Sequence, residues 1–378
     1  MKVLLTESQY QRLNEIDWEG EFSDVKSSCL TIDGLVDYLN NVKINKRGGL
    51  GMPFIHSKSG FIKEFDKITE GTVEEFARRI TQEPRTVIGK NAKMKKSGSE
   101  TERVFNTGIP AVAAIVYDIE HGEFHKIRTC PGMGSCVNVC YALKGNYIRF
   151  PNVYDSMIKR VNLLMNNPGR YKERLIKELY NEARIFKAIS KNNFQATNSI
   201  VLRWNDSGDF FGKRYLQIAQ EAMKELRAMG VNIVSTSYSK IADVAYDKDW
   251  EDKFDSRSAS TGSNKKETAK FSKYSEEQPN KVKSADIGYG DKYGFNKTFS
   301  DFDRTNAEDR EKLKIAVSKV HGYPYDTVIY YDEIINMQDN KIPFWNVIVL
   351  TMSHGNIPGD GDRASWRGDV KSINNLLH

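Results

Sequence analysis

The chain has 378 residues, enough for one large α/β domain or two smaller ones. With 39% hydrophobic and 28% charged residues it is expected to be soluble and globular, and no apolar run approaches the roughly 20 residues of a membrane helix. The net charge of +6 permits contact with nucleic acid or a phosphate-bearing ligand without requiring it. The start, MKVLLTESQYQRL, turns polar too soon for a signal peptide, so the four cysteines are expected free or metal-bound rather than disulfide-paired.

In chain order, Thr6-Glu7-Ser8-Gln9 is a capping pattern for a short helix carrying Tyr10, Leu13 and Ile16 on one face. The glycine-rich stretch 46–54 lacks the Gly-Lys-Ser/Thr ending of a phosphate-binding loop. Thr72-Val73-Glu74-Glu75 predicts a second short helix. Residues 111–119 and 123–129 read as strands of a hairpin turning at Glu120-His121-Gly122. A cysteine-rich loop, 129–145, follows. Helices are predicted over 152–166 and 170–191, split at Asn167-Pro168-Gly169. SIVLRW (199–204), a helix from Lys213 to Met229 closed by Gly230, and VNIVSTS (231–237) make a βαβ unit, which predicts a parallel sheet. Residues 247–300 are polar and read as a long insertion, mobile in character. A helix over 306–319, strands at 327–332 and 345–353, and a terminal helix complete the chain.

The expected fold is therefore α/β with a mostly parallel sheet, taken to be a partial TIM-like barrel. An α-rich extension (1–105) precedes a core of 106–246 and 301–378, which the 247–300 insertion interrupts. In such folds ligands bind beyond the carboxyl ends of the strands. Four unusual loops fall at predicted strand ends: the cysteine loop, RWNDSGDFF, STSYSK and SHGNIPGDGD. Their agreement predicts one shared site.

In the first loop Cys130, Cys136 and Cys140 form Cys-x5-Cys-x3-Cys. Thiolates are soft ligands suited to zinc or an iron–sulfur cluster, with metal-free cysteines the third reading. Three thiolates in one loop suit a 4Fe-4S cluster with one iron open, the logic of radical S-adenosylmethionine enzymes. The spacing departs from the usual Cys-x3-Cys-x2-Cys, and the aromatic, Tyr141, follows Cys140 instead of preceding it. Asp206 and Asp209 are candidate metal ligands or general bases, with a helix cap the plainer role for Asp209. Arg203 at the end of a buried strand needs a partner such as Asp206 or a ligand carboxylate. Ser207, Gly208, Thr236 and Ser237 offer hydroxyls and a tight turn for a cofactor, S-adenosylmethionine in the leading reading. His354 is the histidine expected to act in the site, as ligand or base.

TCPGMGSCVNVCYALKG, VLRWNDSGDFF, IVSTSYSK and the SHGNIPG segment together resemble the phage gene product 88-like family, over roughly 106–240 and again near 345–365. The resemblance implies a phage or prophage origin, hence the host cytoplasm during infection or a place in the virion, and a shared site; it supplies no reaction. The leading expectation is a radical S-adenosylmethionine-like iron–sulfur enzyme. The alternatives are a zinc-stabilised nucleic-acid-binding protein, with Cys29 or His354 as fourth ligand and basic segments 85–103 and 151–191 on phosphates, and a metal-dependent hydrolase or nuclease using Asp206, Asp209 and His354.

Overall fold

Seventeen helices and strands in the described residues are, in order, β1 (Ser27–Leu30), α1 (Glu70–Ile80), β2 (Glu102–Asn106), β3 (Ala114–Asp118), β4 (Glu123–Ile127), α2 (Pro151–Asn166), α3 (Pro168–Ser190), β5 (Ser199–Trp204), α4 (Lys213–Ala228), β6 (Ile233–Ser239), α5 (Ala242–Ala245), β7 (Asp255–Ala259), α6 (Lys265–Glu277), β8 (Asp286–Tyr289), α7 (Ala307–His321), β9 (Val328–Tyr330) and β10 (Ile348–Met352). They come from a computed structural model that describes residues 22–31, 35, 70–90, 94, 98, 100–134, 140, 142, 151–190, 198–251, 253–259, 263–278, 286–289, 306–321, 325, 328–330 and 348–352. The helix expected after Thr6, the 46–54 turn, Cys136, His354 and the terminal helix lie outside these residues.

β2, β5, β6 and β7 form a parallel sheet in the order β2-β5-β6-β7. Both faces of β5 are buried. Ile200, Leu202 and Trp204 join the main core, with Tyr171, Leu175 and Leu179 of α3 and Tyr215, Ile218 and Met223 of α4. Val201 points the other way and packs with Met94, Val104 and Val234. This two-sided burial is why SIVLRW reads as a continuous apolar run. Pro168 opens α3, where its missing N–H costs nothing, and Asn167 Oδ1 accepts from the Arg170 amide (2.9 Å).

A second sheet, β1-β4-β3, is antiparallel. Asp118 Oδ1 accepts from the Glu120 and His121 amides (2.9 and 3.2 Å), and Gly122 takes φ +71°, so the chain reverses tightly as the hairpin reading expects. α2 packs on the outer strand, β3, and two of its asparagines take over that strand's free backbone groups. Asn162 accepts from the Tyr117 amide (2.9 Å) and donates to the Ile115 carbonyl (3.1 Å); Asn166 accepts from Ile119 (3.0 Å) and donates to Tyr117 (2.9 Å). The edge is thereby closed to further pairing. A third sheet, β8-β10-β9, is parallel.

The mixed α/β class with a parallel sheet is as expected, but the described residues do not show a partial TIM-like barrel. A turn as short as 119–122 can only join antiparallel neighbours, so β3 and β4 pair with each other, and β4 pairs on its other side with β1. The four-stranded sheet ends at β2 and β7 with no closure among the described residues. Within 247–300, read as a polar insertion, β7 is the fourth strand of that sheet and α6 packs on α5. In the β7 sequence, DSRSA, the buried Asp255 is paired. Arg227 of α4 binds Asp255 through both guanidinium nitrogens (2.6 and 3.1 Å), and Ser235 donates to the same carboxylate (2.7 Å).

Candidate functional site

The turn after β5 is held from three sides. Asn205 has φ +50°, a conformation asparagine tolerates better than most residues. Its amide donates to Thr107 Oγ1 (3.1 Å) and its Oδ1 accepts from the Tyr215 hydroxyl (2.7 Å). The Asp206 amide donates to the Thr107 carbonyl (3.0 Å), and the Asp206 carboxylate accepts from Asn106 Nδ2. Gly108 leaves room for that carboxylate, since a Cβ there would overlap it. Buried Arg160 of α2 donates to the carbonyls of Thr86 (3.0 Å) and Gly108 (3.4 Å), fixing the chain opposite. Gly208 has φ +79° and lies against Ile109, whose amide donates to the Ser207 carbonyl (3.2 Å).

Asp209 is a tie between loops. Its Oδ1 accepts from the Phe210 amide (2.8 Å) and the Ser239 hydroxyl (2.9 Å), its Oδ2 from the Lys240 amide (2.8 Å), and its own amide donates to the Thr129 carbonyl (2.9 Å). Burial pushes its carboxyl above the usual aspartate range, against the pull of Lys240 and these hydrogen bonds. It does not cap α4. Asp24 does, accepting from the Lys213 amide (2.8 Å).

The cysteine loop leaves β4 and lies on these strand ends. Thr129 donates to the Pro110 carbonyl (2.6 Å). Gly132 sits so close to Lys240 that a Cβ would approach the Lys240 carbonyl carbon to 2.7 Å. Asn264, the N-cap of α6, accepts from the Glu267 amide (3.1 Å), while its backbone amide donates to Gly132 (2.9 Å) and its Nδ2 to Pro131 (3.3 Å). Cys130 and Cys140 meet at Val112, which has φ +71°. The Val112 amide donates to Cys130 Sγ (3.3 Å), and Cys140 packs with Ala111, Val112 and Ala142. Burial, with the Asp209 carboxylate nearby, pushes the Cys130 thiol up to about 12. Cys29 is elsewhere: it donates to Glu123 (3.7 Å) at the opposite end of β4. No group of three metal-ligating side chains is gathered among the described residues, of which Cys136 is not one.

The strand register adds a row that sequence reading passes over. Asn106, Arg203, Thr236 and Ser256 are successive cross-strand partners over β2, β5, β6 and β7, so they share one face, the side away from Leu202 and Trp204. The Arg203 guanidinium lies 5.3 Å from the Tyr238 ring centroid on the same face. Thr236 is 1% and Asn106 4% exposed. Asn106 Oδ1, Thr236 Oγ1 and Ser256 Oγ are buried without a hydrogen-bond partner among the described residues, and so is Ser207 Oγ.

Three of the four expected loops therefore meet, and Cys130, Asp206, Ser207, Gly208 and Asp209 lie in them. Ser237 is in register with Trp204 and belongs to the opposite face from Thr236, so the two do not present hydroxyls together. Several residues of the basic segments are ion-paired. Lys159 pairs with Asp155, Arg170 and Arg174 with Glu83, Lys172 with Glu221 and Glu225, and Lys90 with Glu182. Sequence reading missed Asn106, Thr107, Arg160, Asp24 and Asn264. Only Asn264 had a local signal, the Asn-x-x-Glu capping spacing to Glu267.

No curated protein and no solved structure matches the chain. A family model described as Gene product 88 matches residues 85–249. That span contains β2 to β6 and the whole cysteine loop, so this part of the candidate site is similar to the Gene product 88 family, while Ser256 and Asn264 lie beyond it.

Proposed function

We propose that this chain is a phage iron–sulfur protein working in the host cytoplasm, with Cys130, Cys136 and Cys140 holding a 4Fe-4S cluster and S-adenosylmethionine as the associated cofactor. The observation that carries the reading is the docking of the cysteine loop, through Asp209, Lys240 and Asn264, on the carboxyl ends of β5 and β6. A loop that served only as a surface knuckle needs no such attachment. The donor set fits a soft metal: desolvation raises the Cys130 thiol, which stays protonated at neutral pH unless a cation takes the proton's place on sulfur, and the Val112 N–H donates to Sγ. When bound, the cluster supplies one-electron reduction.

The chain's own residues then have separable roles. Cys130 and Cys140 bring the sulfur ligands to the Val112 corner. Arg203, Ser207 and Thr236 orient the cofactor or substrate, their positions supported by the buried free hydroxyls of Ser207 and Thr236. Asp206 is the carboxylate that receives a proton in this reading, whereas Asp209 holds loops together. His354 is the remaining candidate to complete the site. The ion pairs of Lys159, Arg170, Lys172 and Arg174 occupy four of the basic groups that the nucleic-acid reading would set against phosphates. The test is electron paramagnetic resonance of the anaerobically reconstituted, reduced protein. A cluster signal that changes on adding S-adenosylmethionine supports the proposal; a colourless protein holding stoichiometric zinc refutes it.

A further inference from the structure

The buried polar row on the parallel sheet has chemistry of its own. Adjacent strands lie about 4.8 Å apart, so Asn106, Arg203, Thr236 and Ser256 span roughly 14 Å across four strands. A row beneath it on the same face, Val104, Val201 and Val234, is apolar and packs with Met94. The sheet thus changes from apolar to polar one step before its carboxyl edge, on one face only. Buried hydroxyls and amide oxygens lower stability when they find no partner. Three such atoms at one level are better explained by a partner than by packing. Asn106 is already oriented, since its Nδ2 donates to Asp206 and its Oδ1 is therefore left as an acceptor. Next to it stands the guanidinium of Arg203, backed by Tyr238, and then two hydroxyls able to donate.

We propose that this row is the binding site for a small ligand carrying an oxyanion, a carboxylate or a phosphate, with a hydroxyl or amine group beside it. The oxyanion accepts from Arg203, Thr236 and Ser256. The neighbouring O–H or N–H donates to Asn106 Oδ1, about one strand spacing away. The site extends the proposed function, on which it rests only for its place at the carboxyl end of the sheet; neither Asn106 nor Ser256 belongs to the cysteine loop, and no metal is needed to form it.

Thermal unfolding of the full chain, with and without inorganic phosphate or malate at matched ionic strength, tests the proposal in wild type, Thr236→Val and Ser256→Ala. Both substitutions keep side-chain volume nearly constant and remove an unpaired hydroxyl, so the unliganded variants should melt at or above the wild-type temperature. The wild type should be stabilised by at least one of the two anions. Each variant should bind it about tenfold or more weakly, the loss expected for a hydrogen bond to a charged group. Stabilisation by phosphate alone identifies a phosphate-bearing ligand, by malate alone a hydroxycarboxylate, and by both the shared oxyanion chemistry. No stabilisation by either anion, or equal stabilisation of wild type and variants, overturns the proposal. Metal content measured on the same samples reports on the iron–sulfur reading separately, so either idea can fail while the other stands.

Discussion

Replacing Asp209 by alanine withdraws three acceptor contacts at once. The Ser239 hydroxyl keeps a second acceptor, the Ile241 carbonyl (3.4 Å), but the Phe210 and Lys240 amides lose their partner. Each buried orphaned donor costs about 1–3 kcal/mol. Part of this is offset because a buried charge disappears, so the net loss should be about 2–4 kcal/mol. Asparagine keeps one oxygen but turns an amine toward a backbone donor, and about half that loss is expected. The pH dependence has a definite sign. The folded-state value of Asp209 is raised, so the native protein binds the extra proton more readily than the unfolded chain. Its contribution is therefore largest at low pH and is lost as pH rises through the raised folded value. The stability gap between wild type and Asp209→Asn should widen as pH falls from neutral toward the ordinary aspartate value of 3.8. Urea unfolding, with midpoint and slope compared at each pH, measures both effects. An alanine variant within about 0.5 kcal/mol of wild type would refute the assignment of Asp209 as the loop tie.

Three other outcomes follow from single residues. Gly132→Ala places a Cβ against the Lys240 backbone, which cannot yield as a side chain end could. It should cost about 1–3 kcal/mol and lower metal retention. Gly230→Ala, where a Cβ meets nothing within 4 Å and only the φ of +80° is strained, should cost about 1–2 kcal/mol and leave metal unchanged. His121, fully exposed, is raised above its ordinary 6.5 by the hydrogen bond to Asp118 (2.8 Å). Asp118→Asn should return its titration, followed by nuclear magnetic resonance, toward that value; an unchanged midpoint contradicts the pairing.

What could be read from the sequence was what depends on near neighbours. β5 and the α2–α3 break are legible because burial on two faces and Pro168 leave local marks. β7 is not, because its residues are polar and the partners of Asp255 lie on α4 and β6, far off in sequence. β1 is similarly hidden: SSCL is a strand only because β4 offers an edge. The gathering of three loops was foreseeable from the rule that α/β ligand sites lie at strand ends. The means of gathering were not, since Asn264 reaches Pro131 from 133 residues further along the chain. The polar row needed the register itself, because no periodicity links Asn106 to Arg203, Thr236 and Ser256.

The most direct measurement is metal and sulfide analysis of anaerobically prepared full-length chain beside its Cys130→Ser, Cys136→Ser and Cys140→Ser variants. The account predicts about four irons per wild-type chain, following the cluster type, and loss of most of them in each of the three variants. Zinc in place of iron, or iron retained when any one of these cysteines is replaced, would contradict it.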